Sequence, residues 1–213
     1  MGARQDLLAH ILQIDGSRTA SRPSYEDFVR RGVDDGVLRV YRALGGQHDF
    51  PRIAPGKWDL VANDYVIELD EERHFNRYRA ATLESPLYDR LIDIDVPTYA
   101  AHCRLHESDC LRAAGWGGNW TSPSTEREFG PSSPPRDLST PGPARWKQRA
   151  FYDFIKDLAP LVGGPKLIRI AIWDDLASHA ERVTVGDVLE GRMGNADEAA
   201  LIVEEINRRR QAP

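Results

Sequence analysis

The stretch KWDLVANDYVIELDEERH, residues 57–74, alternates like two short strands joined by a tight turn. Two apolar runs, residues 58–62 and 65–69, flank Asn63 and Asp64. A two-residue Asn/Asp loop favours the type I′ turn, whose twist matches that of the flanking strands. With 63 and 64 as the loop, residue 62 faces 65, 59 faces 68 and 57 faces 70. This register sets Asp59 opposite Glu68, on one sheet face with Val66 and Asp70. Like charges directly opposite one another destabilise a sheet. A divalent cation between the carboxylates would compensate, because hard cations such as Mg²⁺ prefer oxygen ligands. Lys57, opposite Asp70, is an alternative counter-charge.

An Asp closing one strand, followed by an acidic-x-acidic pattern on the next, resembles the PD-(D/E)XK nuclease fold. The string VIELDEERHF, residues 66–75, is similar to small endonuclease domains of the very-short-patch-repair kind, where V-I-E-x-D-G-x-x-H-F follows a D-F/L strand. A weaker echo follows at 145–149 and 167–170. The resemblance implies an α/β fold with a mixed central sheet flanked by helices, a restriction-endonuclease-like core that here carries a helical and Pro-rich insertion. It places Asp59, Glu68 and Asp70 at the acidic positions and His74 at the histidine. Two departures stand out: Glu71 replaces the turn glycine, and Asp70 occupies the position where the wider superfamily has lysine.

The chemistry implied is metal-assisted hydrolysis of a DNA phosphodiester, in repair or defence. Asp59 and Glu68 would bind Mg²⁺ or Mn²⁺, with the Leu69 carbonyl as a third ligand. Asp70 would be a further ligand or hold a water, and His74 would act as general acid/base near neutral pH. Lys147 or Arg149 would replace the missing motif lysine at the phosphate, in competition with Lys57. The plainer reading pairs Asp59 with Lys57 or Arg73 and packs His74 at a strand end.

At 213 residues the chain can bury a substantial core, and one domain over 1–213 is the expectation. The net charge of −5 argues against wholesale wrapping of nucleic acid but leaves room for a local basic groove. Of 28 basic residues only Lys57, Lys147, Lys156 and Lys166 are lysine. Cys103 and Cys110 are too few for a disulfide framework, and on one helix they would sit ~10 Å apart along the axis. The N-terminus lacks a signal-peptide core, and no apolar run nears the roughly 20 residues of a membrane span, so a cytoplasmic location is expected.

Working outward from the hairpin, N-terminal helices are expected within 1–50, over residues 4–14 and 24–44. Glu26 lies in the first turn of the second, where it could be a further metal ligand or a charge favoured by the helix dipole. The site hairpin spans 57–75, and short helical pieces follow at 76–83 and 87–91. A helical and Pro/Gly-rich insertion spans 93–143, beginning with a helix at 99–114. Residues 116–143 hold six of the 14 prolines and little periodicity, which points to a long irregular loop. Trp116 and Trp120 in its Gly-rich start could stack on an exposed base or pin the loop to the core. A late core helix and strand occupy 144–173, as a helix at 145–161 and a strand at 166–173. Six basic residues against two acidic between 145 and 169 suit a DNA-facing side, with Arg145, Lys147 and Arg149 foremost. Helices near 184–189 and 196–210 form a cover over 174–213, and Arg208, Arg209 and Arg210 read as a solvated end.

Cys103, His106 and Cys110 share one face of the expected helix beside His102. Zinc would need His48 or His179 as a fourth ligand, and two buried thiols with incidental histidines is the plainer reading. Gly-rich phosphate loops, a nucleophile elbow and H-E-x-x-H are absent. The readings that remain are a Mg²⁺- or Mn²⁺-dependent endonuclease and a non-catalytic nucleic-acid- or protein-binding module on the same fold.

Overall fold

In a computed structural model the described residues are 2–177, 182–191 and 196–211. In chain order the elements are α1 (Ala3–Leu12), α2 (Tyr25–Arg30), α3 (Asp34–Ala43), β1 (Leu60–Val61), β2 (Tyr65–Asp70), α4 (Arg77–Thr82), α5 (Val96–Leu105) and α6 (Glu107–Ala114). There follow α7 (Pro123–Phe129), α8 (Ala144–Asp157), β3 (Lys166–Ala171), β4 (Asp175–Leu176), β5 (Val183–Thr184), α9 (Val185–Leu189) and α10 (Ala196–Gln211). No helix among the described residues is long and apolar enough to cross a membrane. The contacts group into two compact units: residues 1–21, 57–71 and 165–213, and residues 22–56 and 72–164.

The first unit holds the sheet, which is mixed as expected. β1 runs antiparallel to β2, and β3 runs parallel on its other side. The pairs Leu60↔Ile67 and Val61↔Val66 reproduce the register read from the sequence, and Ala62 N–H donates to Tyr65 O at 2.9 Å across the two-residue loop. The turn type differs. Neither Asn63 nor Asp64 has positive φ, which a type I′ turn requires at both central residues. The ladder beyond the turn is too short to demand matched twist, and both loop side chains are tethered from elsewhere. Arg18 donates to Asn63, and Arg210 donates twice to Asp64, at 3.1 and 2.8 Å.

β2 and β3 are buried almost throughout, as the dense β-branched runs require. Alternation puts Ile67, Leu69, Ile168 and Ile170 on one face and Val66, Glu68, Asp70, Leu167 and Arg169 on the other. Of the C-terminal arginines, Arg208 and Arg210 are exposed, as a solvated end requires, while Arg209 is half-buried; Arg208 and Arg209 pair with Glu205, Arg209 also pairs with Asp174 at 2.8 Å, and Arg210 pairs with Asp64.

The second unit is helical, and α8 is its centre. Trp146, Phe151, Phe154 and Ile155 along that helix are all buried. Three sequence expectations change here. The helix over 24–44 is two helices, parted where Gly32 adopts φ +65°. The helix over 99–114 is also two, α5 and α6, meeting at His106 with φ −111° and ψ 16°. The first begins earlier than expected, where Asp95 accepts from Thr98 N and Pro97 occupies the first turn. Within the supposed long loop, Ser122 caps α7, accepting from Thr125 N while Thr125 Oγ1 accepts from Ser122 N. That reciprocal cap uses Ser and Thr rather than the usual Ser/Glu pair, so the helix start was not read.

Candidate functional site

In the first unit the hairpin delivers its two carboxylates as the register dictates. The ladder's hydrogen-bonded pairs run 62 with 65 and 60 with 67, so the next would join 58 to 69. Instead the Asp59 side chain takes over: its Oδ2 accepts from Leu69 N at 2.8 Å, while Glu68 Oε1 accepts from Asp59 N at 3.2 Å. Each carboxylate is therefore held by a peptide N–H of the opposite strand. Gln5, on the first turn of α1, donates to Asp59 Oδ1 at 2.7 Å. Glu68 is buried at 3% exposure and Asp59 is half-buried.

Asp70 is fully buried, and both of its oxygens accept from Arg169 Nη1, at 2.7 and 2.6 Å. Arg169 lies beside Glu68 in the parallel ladder, so three carboxylates and one guanidinium share this face. Gln5 and the Asp70–Arg169 pair escaped the sequence reading. A glutamine in a first helical turn carries no chemical signal, though an arginine enclosed by Leu167, Ile168 and Ile170 could have been recognised as needing a buried partner.

In the second unit, residues Glu72–His74 form a short 3-10 turn against α6 and α8. His74 Nδ1 lies 2.8 Å from Asp153 Oδ2, and Asp153 is buried on α8. A buried carboxylate on one ring nitrogen fixes the imidazole plane and favours the tautomer that is protonated there. Lys147 is buried as well. Its ammonium meets the Phe129 carbonyl at 3.5 Å and the Tyr78 ring at 6.0 Å, and burial lowers its pKa. Arg145 and Arg149 lie on the same helix, half-buried. Glu26 is exposed on α2.

The two loop tryptophans part ways. Trp120 is fully buried against Trp146, and its Nε1 donates to Ser133 O at 2.8 Å, so it pins the loop and presents no face for a base. Trp116 is 52% exposed. Cys103 and Cys110 are buried and form no disulfide, and burial pushes the Cys110 thiol up to about 12. The break between α5 and α6 separates the face that Cys103, His106 and Cys110 were expected to share, and His106 Nδ1 instead lies 3.0 Å from Asp109. His179 lies outside the described residues.

Together these features describe a mixed α/β protein with an acidic hairpin face in one unit and a histidine–carboxylate pair with basic residues in the other. Residues 39–191 match the model of a family of unknown function, DUF7255, and the chain belongs to that family. No curated protein and no solved structure matches it.

Proposed function

We propose that the acidic hairpin face binds a divalent cation, Mg²⁺ or Mn²⁺, and that the protein is a metal-dependent endonuclease hydrolysing DNA phosphodiester bonds. The observation that carries this reading is the reciprocal clamp of Asp59 and Glu68: the two carboxylates oppose each other, each held by the other strand's backbone. The donor set fits a hard cation, being two carboxylates with the Leu69 carbonyl on the same side of β2 as its N–H. When bound, such a cation supplies Lewis acidity at a phosphodiester and makes water acidic near neutral pH. The chain's own contribution is preorganisation. Gln5 and Leu69 N–H fix Asp59, and Asp59 N–H fixes Glu68, so little side-chain freedom is left to lose on binding. Further support comes from an antiparallel hairpin whose second strand takes a parallel partner late in the chain, consistent with a restriction-endonuclease-like core.

A second reading, a non-catalytic nucleic-acid- or protein-binding module on the same fold, draws on one observation. Asp70 stands where the motif lysine would, and Arg169 binds it.

The test is calorimetric titration of Mn²⁺ into the wild type and Glu68→Ala, with both proteins then incubated with supercoiled plasmid. Binding and nicking are expected in the wild type, with both lost in Glu68→Ala. Binding without nicking favours the module, and absence of Mn²⁺ binding removes the cation site altogether.

A further inference from the structure

Arg145, Arg149 and Asp153 recur every four residues along α8, which puts them on one face of that helix. Arg149 Nη1 donates to the Arg73 carbonyl at 3.3 Å, so this face meets the Glu72–His74 turn. The acidic member of the row, Asp153, holds His74 Nδ1 at 2.8 Å. The polar side-chain contact of Arg145 is the neutral Gln148. Neither Arg145 nor Arg149 has a carboxylate within ion-pair distance among the described residues.

Three features of this arrangement disfavour the isolated protein. Arg145 lies in the first turn of a 14-residue helix, at the positive end of its dipole, and that turn contains no acidic residue. Arg149 is half-buried. Burial lowers its pKa to about 10, with Asp153 opposing and the charges of Arg73 and Arg145 adding to the fall, so it stays charged at neutral pH. An oxyanion would reverse all three effects, because guanidinium forks match phosphate geometry and strengthen when partly desolvated.

We infer that Arg145 and Arg149 form a binding site for a phosphate oxyanion, and that the phosphate belongs to a nucleic-acid backbone. The choice of polymer rests on the phosphodiester reading above, while the oxyanion site does not.

The experiment is fluorescence anisotropy of a labelled DNA duplex against wild type and the double variant Arg145→Gln/Arg149→Gln, in EDTA over a series of KCl concentrations. Because EDTA removes divalent cations, failure of the Asp59–Glu68 site would leave this result untouched. The variant is expected to bind at least about tenfold more weakly, and its salt slope to fall by about one, at roughly 0.9 per phosphate neutralised. Thermal melting with and without inorganic phosphate separates the sources. Phosphate should raise the wild-type melting temperature and leave the variant unmoved. The variant should also melt no lower than wild type in phosphate-free buffer, since it removes adjacent like charges. Unchanged DNA affinity and salt slope, with no phosphate effect on the wild type, overturns the inference. A phosphate effect without DNA binding overturns its nucleic-acid half.

Discussion

At the scale of the residue, Lys147 separates composition from role. In the sequence it is one of a basic group on a late helix and a candidate for phosphate contact. In the fold its ammonium is enclosed by a carbonyl and an aromatic ring, while Arg145 and Arg149 on the same helix keep access to solvent. The cost of burying this charge has a pH signature. The native pKa lies below the ordinary 10.5, so below the native value both folded and unfolded chains carry the proton and the cost is fully present. As pH rises past the native value the unfolded chain binds more protons than the folded one, and stability climbs. Lys147→Met should therefore melt above wild type near pH 7, with the margin shrinking as the pH approaches 10.5. A margin that stays constant over that range would mean that the ammonium is not what the burial penalises.

At the scale of the element, periodicity located most helices but not their interruptions. The apolar spacing of residues 24–44 runs across Gly32 without a visible break, because a positive φ leaves no trace in a hydrophobic pattern. The same glycine identity serves two purposes here. Gly32 has φ +65° and open space around it, so Gly32→Ala should destabilise by about 1–2 kcal/mol through backbone strain alone. Gly36 has an ordinary φ, but an added Cβ would come within 2.7 Å of Leu87 Cδ1, so its requirement is close packing. Urea unfolding distinguishes them: Asn, which tolerates the left-handed region, should recover part of the loss at 32 and none at 36. Equal behaviour of Asn and Ala at Gly32 would contradict the strain argument.

At the scale of the whole molecule, the sheet depends on pairing between distant parts of the chain. Asp70 and Arg169 are 99 residues apart in sequence, yet form a buried ion pair across parallel neighbours. Removing one partner leaves an uncompensated buried charge. Arg169→Met should cost about 3–5 kcal/mol in urea unfolding, whereas Arg169→Met with Asp70→Leu should lie much closer to wild type. If the single and double variants are equally destabilised, the charge pairing is not the source of the loss.

The hairpin register, the opposition of Asp59 and Glu68 and the mixed α/β class were all legible in the sequence. They follow from local rules: a two-residue loop sets which positions face each other, and side chains alternate with period two. The partners of those residues were not. Gln5 reaches Asp59, Arg169 reaches Asp70 and Asp153 reaches His74 only because strands and helices far apart in the chain are packed together. The same holds for burial, which turned Lys147 and Trp120 inward while leaving Trp116 exposed. Local geometry is written in neighbouring residues, but the environment that sets a side chain's charge, access and partner is created by long-range packing, which no short pattern encodes.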